Sequence, residues 1–438
     1  KGFNHTIGDI VLSELETLNL SSTGLTDGKL NTLTQLSADT KLTTLNITGE
    51  SDLTISTLNG PTKLATINAS TFTGDLIITG GVATLAITGA TTFTGNILTT
   101  GNGTGVLTTG GITTIDGNVG SSTSLDLASL TTVANLDVTG NVYVAAITIA
   151  DQFSLTGTTD QVVSGTVTAV DTSADDDLII SAEARSVTFN GAVSVADITL
   201  GAGSTTTFDS TADAVVVALN GTTTFTGAAT FTGATSMAAG TTTTFASTAS
   251  FAGVTGTTTA NMTFDGAVTA TGDIATGVGS TTAFNSTVSA VNLSNSGAMT
   301  LKGAVTLSGT MTTVSGSTIT LGSAFKAGSA AAITAALTSV GTLDQTVNAV
   351  TVNVNNQFTT GTVVLFKNTA AVLDADDLAS FNVTDTAIVD YTAALSSTAK
   401  AIEITANKRT TAGIATYLGM STAQSAALGQ ISAAVASG

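Results

Sequence analysis

The sequence predicts an all-β fold: a β-solenoid (β-helix) with coils of about 19 residues, a C-terminal β region and a short Ala-rich helical tail. Three observations predict it. Short segments alternate apolar and polar residues, which is the period of a strand. A motif of this kind recurs along the 438 residues. Only 9% of the residues are charged and 4% are aromatic, which is unlike an ordinary globular mixture.

The most regular part of the chain is an array in which a bulky residue, a polar or Gly corner and a short alternating strand recur. Successive intervals between the Phe residues are 19, 17, 20, 19 and 20 residues. A unit of this length is too short for a pair of helices and must stack on its neighbours to bury its apolar face. The sequence therefore predicts an interior Phe ladder. Its positions are Phe189, Phe208, Phe225, Phe245, Phe264 and Phe284, with Leu301 continuing the series.

A looser pattern of three apolar residues precedes the regular array. It recurs as LETLNL from Leu15, LTTLNI from Leu42, LATINA from Leu64 and VATLAI from Val82, at intervals of 27, 22 and 18 residues. A leucine-rich repeat is the alternative for the first hundred residues, although its Asn position and helical segment are missing. We interpret 1–150 as a looser β-repeat array and 151–341 as regular solenoid coils.

The pattern changes after residue 341. Longer strand segments predict a C-terminal β module over 342–409, at Val347–Val354, Thr362–Phe366, Phe381–Val383, Ala387–Tyr391 and Ala401–Thr405. Residues 410–438 are Ala-rich and predict a helical cap or connector. Ser421 and Gln424 have the spacing of a capping box, and Leu428, Ile431 and Val435 share one helical face.

The charge balance excludes some partners, and the start of the sequence predicts an exported protein. The formal net charge is -19, so the surface repels nucleic acid and anionic lipid. No run of about 18 apolar residues is present, so we predict no transmembrane helix. The chain begins at Lys1 without Met, and we expect a secreted, mature product whose export signal has been removed.

The inventory of reactive side chains predicts a protein that is not an enzyme. Cys is absent and the one His is His5, so neither a nucleophile with its base nor a converging acid-base patch can be assembled from the sequence. Some right-handed β-helices are polysaccharide-active enzymes, and an enzyme of that kind is the least favoured alternative. We predict no catalytic and no cofactor-binding residues.

Two acidic clusters are the only ligand-like feature of the sequence. Clustered Asp side chains in loops supply the hard oxygen ligands that calcium prefers, although neither cluster has EF-hand spacing and solvated loops are the favoured interpretation. The weak calcium candidates are Asp171, Asp175, Asp176 and Asp177, and then Asp374, Asp376 and Asp377.

Several segments resemble known cell-surface repeats. LTTLNITG, LATINAS and TTFTG look like the strand repeats of bacterial surface-layer proteins and of autotransporter passenger domains. The stretch from Gly361 to Arg409, followed by the Ala-rich helix, is similar to the end of autotransporter passengers just before their membrane barrel. The resemblance implies a β-solenoid displayed outside the cell, here as a processed passenger or a fragment.

These observations predict a structural, self-assembling extracellular protein that forms a surface layer, sheath or fibre. Its main partner would be another copy of itself, and the cell envelope or a host surface would be a further one. The alternative is an autotransporter-type adhesin in which the solenoid is a stalk and a loop region binds a host or neighbouring cell.

Overall fold

The structure of the protein, a computed structural model, describes residues 4–11, 13–24, 30–37, 41–56, 66–72, 74, 76–78, 84–87, 91–94, 96–99, 105–109, 113–122, 127–171, 177–181, 185–326, 329–335, 350–354, 360–369 and 372–437. Strands make up 56% of the structure and helices about 7%. The predicted all-β solenoid with a short C-terminal helical segment is therefore confirmed.

The chain divides into two compact units, Lys1–Ala234 and Thr235–Gly438, and the division falls within strand β25 (Ala229–Met237). The other strands of the first unit are short, and in several of them buried residues alternate with more exposed ones. They are β1 (His5–Val11), β2 (Thr17–Ser22), β3 (Asn31–Ser37), β4 (Thr44–Gly49), β5 (Leu53–Ile55), β6 (Thr66–Phe72), β7 (Leu76–Ile78), β8 (Thr84–Ile87), β9 (Thr91–Thr94), β10 (Ile97–Thr99), β11 (Val106–Thr109), β12 (Thr113–Asp116), β13 (Leu127–Thr132), β14 (Leu136–Val138), β15 (Val144–Ile149), β16 (Gln152–Leu155), β17 (Gln161–Val163), β18 (Thr166–Ala169), β19 (Asp177–Ile180), β20 (Ser186–Phe189), β21 (Val193–Leu200), β22 (Thr205–Phe208), β23 (Ala212–Leu219) and β24 (Thr222–Phe225).

The second unit contains further strands of the same kind and all three described helices. The strands are β26 (Thr242–Phe245), β27 (Ala249–Gly256), β28 (Asn261–Phe264), β29 (Val268–Ala270), β30 (Ile274–Thr276), β31 (Thr281–Phe284), β32 (Val288–Ala290), β33 (Leu293–Asn295), β34 (Ala298–Leu301), β35 (Val305–Leu307), β36 (Met311–Thr313), β37 (Thr318–Leu321), β38 (Ile333–Ala335), β39 (Val350–Val354), β40 (Gly361–Asn368), β41 (Phe381–Thr384), β42 (Val389–Leu395) and β43 (Ala401–Lys408). The helices are α1 (Ala375–Ala379), α2 (Thr411–Tyr417) and α3 (Thr422–Ser437).

In the first unit, equivalent strands of successive coils pair in parallel and in register. β20 pairs with β22, and β22 with β24, so that Phe189, Phe208 and Phe225 stand directly above one another. Their rings are stacked with centroids 4.9 Å apart at each step and interplanar angles of 7°. All three side chains are fully buried, which confirms the predicted ladder in this unit.

The second unit repeats the same arrangement. Phe245, Phe264 and Phe284 align in the ladder of β26, β28 and β31, with stacked centroids 5.0 and 5.2 Å apart. Leu301 and then Leu321 take the next two positions in the same register. Because a Leu side chain fills a similar interior space, the ladder continues after the last Phe.

A four-residue turn explains why the interval between ladder residues varies. In the longer coils the backbone N–H of the fourth residue donates to the carbonyl of the first, as in turns 201–204, 238–241, 257–260, 277–280 and 314–317. The two coils of 17 residues replace this turn with a tight corner at Gly221 or Gly297. A Cβ atom on Gly221 would clash with Ser204, and one on Gly297 with Ser280, so the tight corner requires Gly.

The looser N-terminal repeats also stack as predicted. β2, β4 and β6 pair in parallel, which aligns Leu18 with Leu45 and Leu45 with Ile67. Further along, Leu85 aligns with Leu107, and Leu107 with Leu130. The described residues of 1–100 form strands and contain no helix, so they lack the helical segment of a leucine-rich repeat.

The ladder extends across residue 342. β39 pairs in parallel with β37, and β41 with β39, so Val354 aligns with Leu321 and Val383 with Val352. The change comes at β40, which pairs in parallel with β38 but antiparallel with β43, and β43 also pairs antiparallel with β42. Of the strands predicted for the C-terminal module, the first and third, β39 and β41, therefore continue the parallel ladder, whereas β40, β42 and β43 make the antiparallel pairs.

The helical tail begins with the predicted capping box. The backbone N–H of Ser421 donates to Gln424 Oε1 at 2.9 Å, and the N–H of Gln424 donates to Ser421 Oγ at 3.4 Å. Leu428 is half-buried, whereas Ile431 is 62% exposed, so the predicted apolar face is only partly covered. In the described part of the chain, no helix is both long enough and apolar enough to cross a membrane.

Candidate functional site

The search for a reactive centre starts with the titratable side chains. His5 lies on β1 and is exposed. Within the described ranges, no group of three or more His, Cys, Asp or Glu side chains is arranged to hold a metal ion. The features that remain are the two acidic clusters, a cationic contact in the C-terminal region and the repeated outer surfaces of the coils.

The structure describes two members of the first acidic cluster, Asp171 and Asp177. Asp171 is exposed immediately after β18, and Asp177 is half-buried at the first position of β19. Asp177 is paired in register with Gln152 on one side and Asp197 on the other. Asp175 and Asp176 lie outside the described residues, and calcium binding by this cluster stays a prediction.

The second acidic cluster forms the N-terminal cap of α1. Asp374 Oδ1 accepts from the backbone N–H groups of Asp376 at 2.9 Å and Asp377 at 3.1 Å. Asp377 Oδ2 in turn accepts from the N–H of Asp374 at 3.0 Å, which completes a capping box. These carboxylates accept hydrogen bonds from backbone N–H groups that have no partner within the helix. Their negative charge also interacts favourably with the positive end of the helix dipole. Their proximity is explained by helix capping.

Asp377 is the one member of this cluster that is deeply buried, with 1% of its surface exposed. Burial raises the pKa of its carboxyl group, the hydrogen bond from the Asp374 backbone lowers it, and the charges of Asp374 and Asp376 raise it further. The net direction is upward, so the carboxyl group takes up a proton at a higher pH than it would in the unfolded chain.

Arg409 joins three segments at the C-terminal end of the second unit. Its guanidinium group contacts Asp385 Oδ2 at 2.6 Å and Asp390 Oδ1 at 3.4 Å, and its Nε donates to the carbonyl of Thr386 at 3.2 Å. The guanidinium carbon lies 4.7 Å from the centre of the Tyr417 ring, and the Tyr417 hydroxyl donates to the carbonyl of Asp385. Arg409 therefore fastens helix α2 to the loop before β42.

The outer surfaces of the coils carry the most regular arrangement of polar groups. Strands of the Phe ladder place their second and fourth residues inside and their first and third residues outside. In the second unit this creates two parallel columns of small neutral side chains, which we call the threonine face. Its residues are Thr242, Thr244, Asn261, Thr263, Thr281, Ala283, Ala298, Thr300, Thr318, Thr320, Thr351 and Asn353.

The first unit has a shorter set of positions of the same kind. The outward residues of β20, β22 and β24 align in register and are again Ser or Thr. They are Ser186, Thr188, Thr205, Thr207, Thr222 and Thr224. In both units the outward residues of these Thr-rich strands are therefore uncharged, in a chain whose net charge is -19.

Several Asp side chains lie in the segments between these strands, where they are hydrogen-bonded to the next coil. Asp265 Oδ1 accepts from Asn285 Nδ2 at 2.5 Å, and Asp273 Oδ1 accepts from Asn292 Nδ2 at 2.7 Å. Asn292 Oδ1 then accepts from the backbone N–H of Thr310 at 2.7 Å. Both carboxylates are therefore hydrogen-bonded to the coil that follows, and Asp265 lies directly after the last residue of β28.

A similar asparagine ladder in the first unit was not predicted from the sequence. Asn96 Oδ1 accepts from the backbone N–H of Asn118, and Asn118 Oδ1 from that of Asn141, each at 2.7 Å. Asn141 Oδ1 accepts from the N–H of Val162 at 2.8 Å. The sequence does contain a signal for this ladder, because its Asn residues are 22 and 23 positions apart and this matches the spacing of the coils there.

The N-terminal coil of the first unit exposes apolar side chains. Among the described residues, β1 pairs with β3 alone and β2 with β4 alone. Ile7 is 51% exposed and Val11 65% exposed, and a cavity of about 160 Å³ opens beside Ile7, Leu20 and Leu33. Unpaired strand edges with exposed apolar side chains are surfaces that another strand can join.

Taken together, the parallel ladders and repeated outer columns define a β-solenoid repeat protein. Comparison with protein-family models, curated proteins and solved structures finds no match for the chain.

Proposed function

We propose that the chain is a structural protein of the cell exterior, which assembles with copies of itself into a surface layer, sheath or fibre. The observation that carries this proposal is the periodic surface. Coil after coil presents small, uncharged outward side chains in register, as on the strands of the threonine face. A surface of this kind offers another molecule the same weak contact many times over.

Repetition matters because a single weak contact does not hold two proteins together. Coils in a β-sheet ladder repeat at about 4.8 Å, so any contact made by one coil recurs at that spacing along the solenoid. Contacts linked in this way act with a high effective concentration, and their combined strength far exceeds that of one contact. Many weak contacts, repeated along the solenoid, together hold an extended assembly.

The charge distribution supports the same proposal. With a net charge of -19, copies of the chain repel one another at long range. The residues of the threonine face are uncharged, and the carboxylates of Asp265 and Asp273 accept hydrogen bonds from Asn side chains of the following coil. Long-range repulsion keeps the protein soluble at low concentration, while the neutral columns allow close approach when it is concentrated.

Microscopy and sedimentation of the purified full chain test the proposal. We expect ordered sheets or filaments in negative-stain images and a concentration-dependent increase in sedimenting mass. A strictly monomeric protein at every pH and calcium concentration would contradict it. Specific binding of the isolated monomer to a host or neighbouring cell surface would instead favour the adhesin alternative.

The location outside the cell is part of the proposal and has its own test. Resemblance of the repeats to surface-layer and autotransporter sequences supports it. In the native cell, the protein should be digested by protease added outside intact cells. Resistance in intact cells combined with digestion in lysates would place the protein inside and exclude this part of the proposal.

Calcium is tested in the same assembly assay. Bridging by the Asp171 or Asp374 cluster predicts that added calcium raises the melting temperature or promotes assembly. The capping role of Asp374 and Asp377 predicts no such change at the second cluster, because their oxygens already accept backbone hydrogen bonds. An unchanged melting temperature and assembly threshold would remove the calcium hypothesis.

A further inference from the structure

We propose that the loop before β42 closes the outer edge of this strand to strands of other molecules. The residues involved, which we call the edge lock, are Asp385, Thr386, Arg409 and Tyr417. β43 pairs antiparallel with β40 on one side and with β42 on the other, so β42 is the outermost described strand of this group. An edge strand turns backbone N–H and C=O groups outward, where another chain can pair with them. The lock acts within one copy of the chain and is independent of the proposed assembly.

The alternation of hydrogen bonds along β42 shows which of its backbone groups face outward. In an antiparallel strand the N–H and C=O of one residue point to the same side, and the side alternates from each residue to the next. The carbonyl of Ile388 accepts from the N–H of Arg409, on the side of β43. Val389, Tyr391 and Ala393 therefore turn their N–H and C=O groups to the outer side.

The loop occupies the first of these outward groups. The N–H of Thr386 donates to the carbonyl of Val389 at 3.0 Å, and Thr386 Oγ1 accepts from the N–H of Val389 at 3.0 Å. Asp385 Oδ1 accepts from the N–H of Tyr391 at 2.8 Å. These hydrogen bonds take the positions at which an added strand would bond, so the first part of the edge is closed to another chain.

Asp385 is the residue through which the lock is held in place. Its Oδ2 accepts from the Arg409 guanidinium group at 2.6 Å, and its backbone carbonyl accepts from the Tyr417 hydroxyl at 3.2 Å. Because the side chains of Arg409 and Asp385 are only 17% and 31% exposed, salt screens this ion pair less than one on an open surface. One carboxylate therefore contacts the strand edge with one oxygen and Arg409 with the other.

Variants of the full chain test the lock. Asp385→Ala removes the carboxylate that accepts from the Tyr391 N–H. The matched control is Asp390→Ala, which removes the same charge and a contact with Arg409 at 3.4 Å, but changes a residue whose backbone faces β43. Hydrogen exchange resolved to single amides measures protection of the edge. Sedimentation, below the concentration at which the unmodified chain assembles, measures pairing between copies. Circular dichroism and thermal melting establish that each variant is folded.

We expect the Tyr391 N–H to exchange at least about tenfold faster in Asp385→Ala than in the unmodified chain, because a hydrogen bond to a charged group is lost. Asp390→Ala should leave the exchange of this amide unchanged. Asp385→Ala alone should sediment as dimers and larger species. Adding Ala393→Pro to Asp385→Ala should restore the monomer, since proline removes an outward N–H from the same edge.

Tyr417→Phe is a milder variant for the case in which Asp385→Ala does not fold. It removes only the hydroxyl that donates to the Asp385 carbonyl and keeps the ring beside Arg409. Tyr417 is 47% exposed, so the fold tolerates this change. Loss of one neutral hydrogen bond predicts roughly two- to tenfold faster exchange of the Tyr391 N–H.

Three results would overturn the inference. Exchange of the Tyr391 N–H at the unmodified rate in Asp385→Ala, or in Tyr417→Phe where only that variant folds, would mean that the loop does not close the edge. Faster exchange in an Asp385→Ala protein that stays monomeric would mean that the open edge accepts no other strand. Association that persists with Ala393→Pro would place the contact elsewhere. Assembly of the unmodified chain is judged separately by microscopy, so each of these results leaves the proposed function standing.

Discussion

Truncation of one ladder ring tests whether the Phe ladder holds the coils together. Phe264 is fully buried, stacks on Phe245 and Phe284 at 5.0 and 5.2 Å, and meets Phe251 edge-on at 6.0 Å. Phe-to-Ala substitution in a core costs about 3–5 kcal/mol, and each aromatic pair contributes about 0.5–1.5 kcal/mol beyond buried area. Because the neighbouring coils are fixed above and below Phe264, the surrounding side chains have little freedom to fill the cavity that its removal leaves. We therefore expect Phe264→Ala to lower the free energy of unfolding by about 4–5 kcal/mol.

A conservative variant separates ring stacking from burial. Phe264→Leu keeps most of the buried apolar area and reproduces the residue found at Leu301, one position of the same ladder. Its expected cost is about 2–3 kcal/mol, chiefly the three lost aromatic pairs at about 0.5–1.5 kcal/mol each, and it should stay below the cost of the Ala variant. Urea unfolding followed by circular dichroism gives the global change. Hydrogen exchange of β26, β28 and β31 gives the local one, which is needed because repeat arrays do not always unfold in one step.

Two results would refute this reasoning. A cost below about 1 kcal/mol for Phe264→Ala would mean that the ring is not part of a tightly packed core. Equal costs for the Ala and Leu variants would mean that burial of apolar volume is not what the ladder contributes. The exposed substitution Thr269→Ala is the control, and it should change the unfolding free energy by less than about 0.5 kcal/mol.

Three further substitutions test smaller features. Thr223→Val should stabilise the chain by about 1 kcal/mol, seen as a higher melting temperature, because Thr223 is buried and its hydroxyl has no hydrogen-bond partner among the described residues. A loss of stability would mean that the hydroxyl is bonded in solution. Thr259→Gly should stabilise the folded chain by about 0.5–1 kcal/mol, because Thr259 has a φ of 60°, a left-handed conformation that costs less for Gly. The equivalent residues of the neighbouring turns are Gly240 and Gly279. An unchanged urea midpoint would contradict this prediction. Asp377→Asn should raise stability at neutral pH, because burial of the charged carboxylate destabilises the parent there, as its raised pKa shows. This gain should shrink as the pH falls towards 3.8, since the folded parent binds the proton more tightly than the unfolded chain does. A gain that is independent of pH in melting curves would refute the burial effect.

The Phe ladder could be predicted from the sequence because stacking places identical residues at nearly constant intervals. Parallel in-register pairing converts the spacing between Phe245 and Phe264 directly into a ring contact. The variation in spacing could not be explained in advance. It depends on whether a coil turns through four residues or through a corner at Gly221 or Gly297, and that choice depends on backbone contacts with the preceding coil.

The second acidic cluster shows where composition alone was insufficient. Three Asp residues within four positions were compatible with both a solvated loop and a cation site. The spacing of Asp374 and Asp377, followed by Leu378, is also that of a capping box at the start of a helix. The short helix was not predicted, because five residues are too few to give a helical period. Without the helix, the cap could not be recognised.

The same register builds both the interior and the exterior of each coil. When Phe264 aligns with Phe284 inside the ladder, Thr263 must align with Ala283 outside, because successive residues of a strand point to opposite faces. A one-residue slip would bury the Thr column and expose the rings. The free energy of the aromatic core therefore also fixes the regular outer surface on which the proposed assembly depends. This coupling allows a chain with so few charged or aromatic residues to specify both a stable coil and a repeated outer surface.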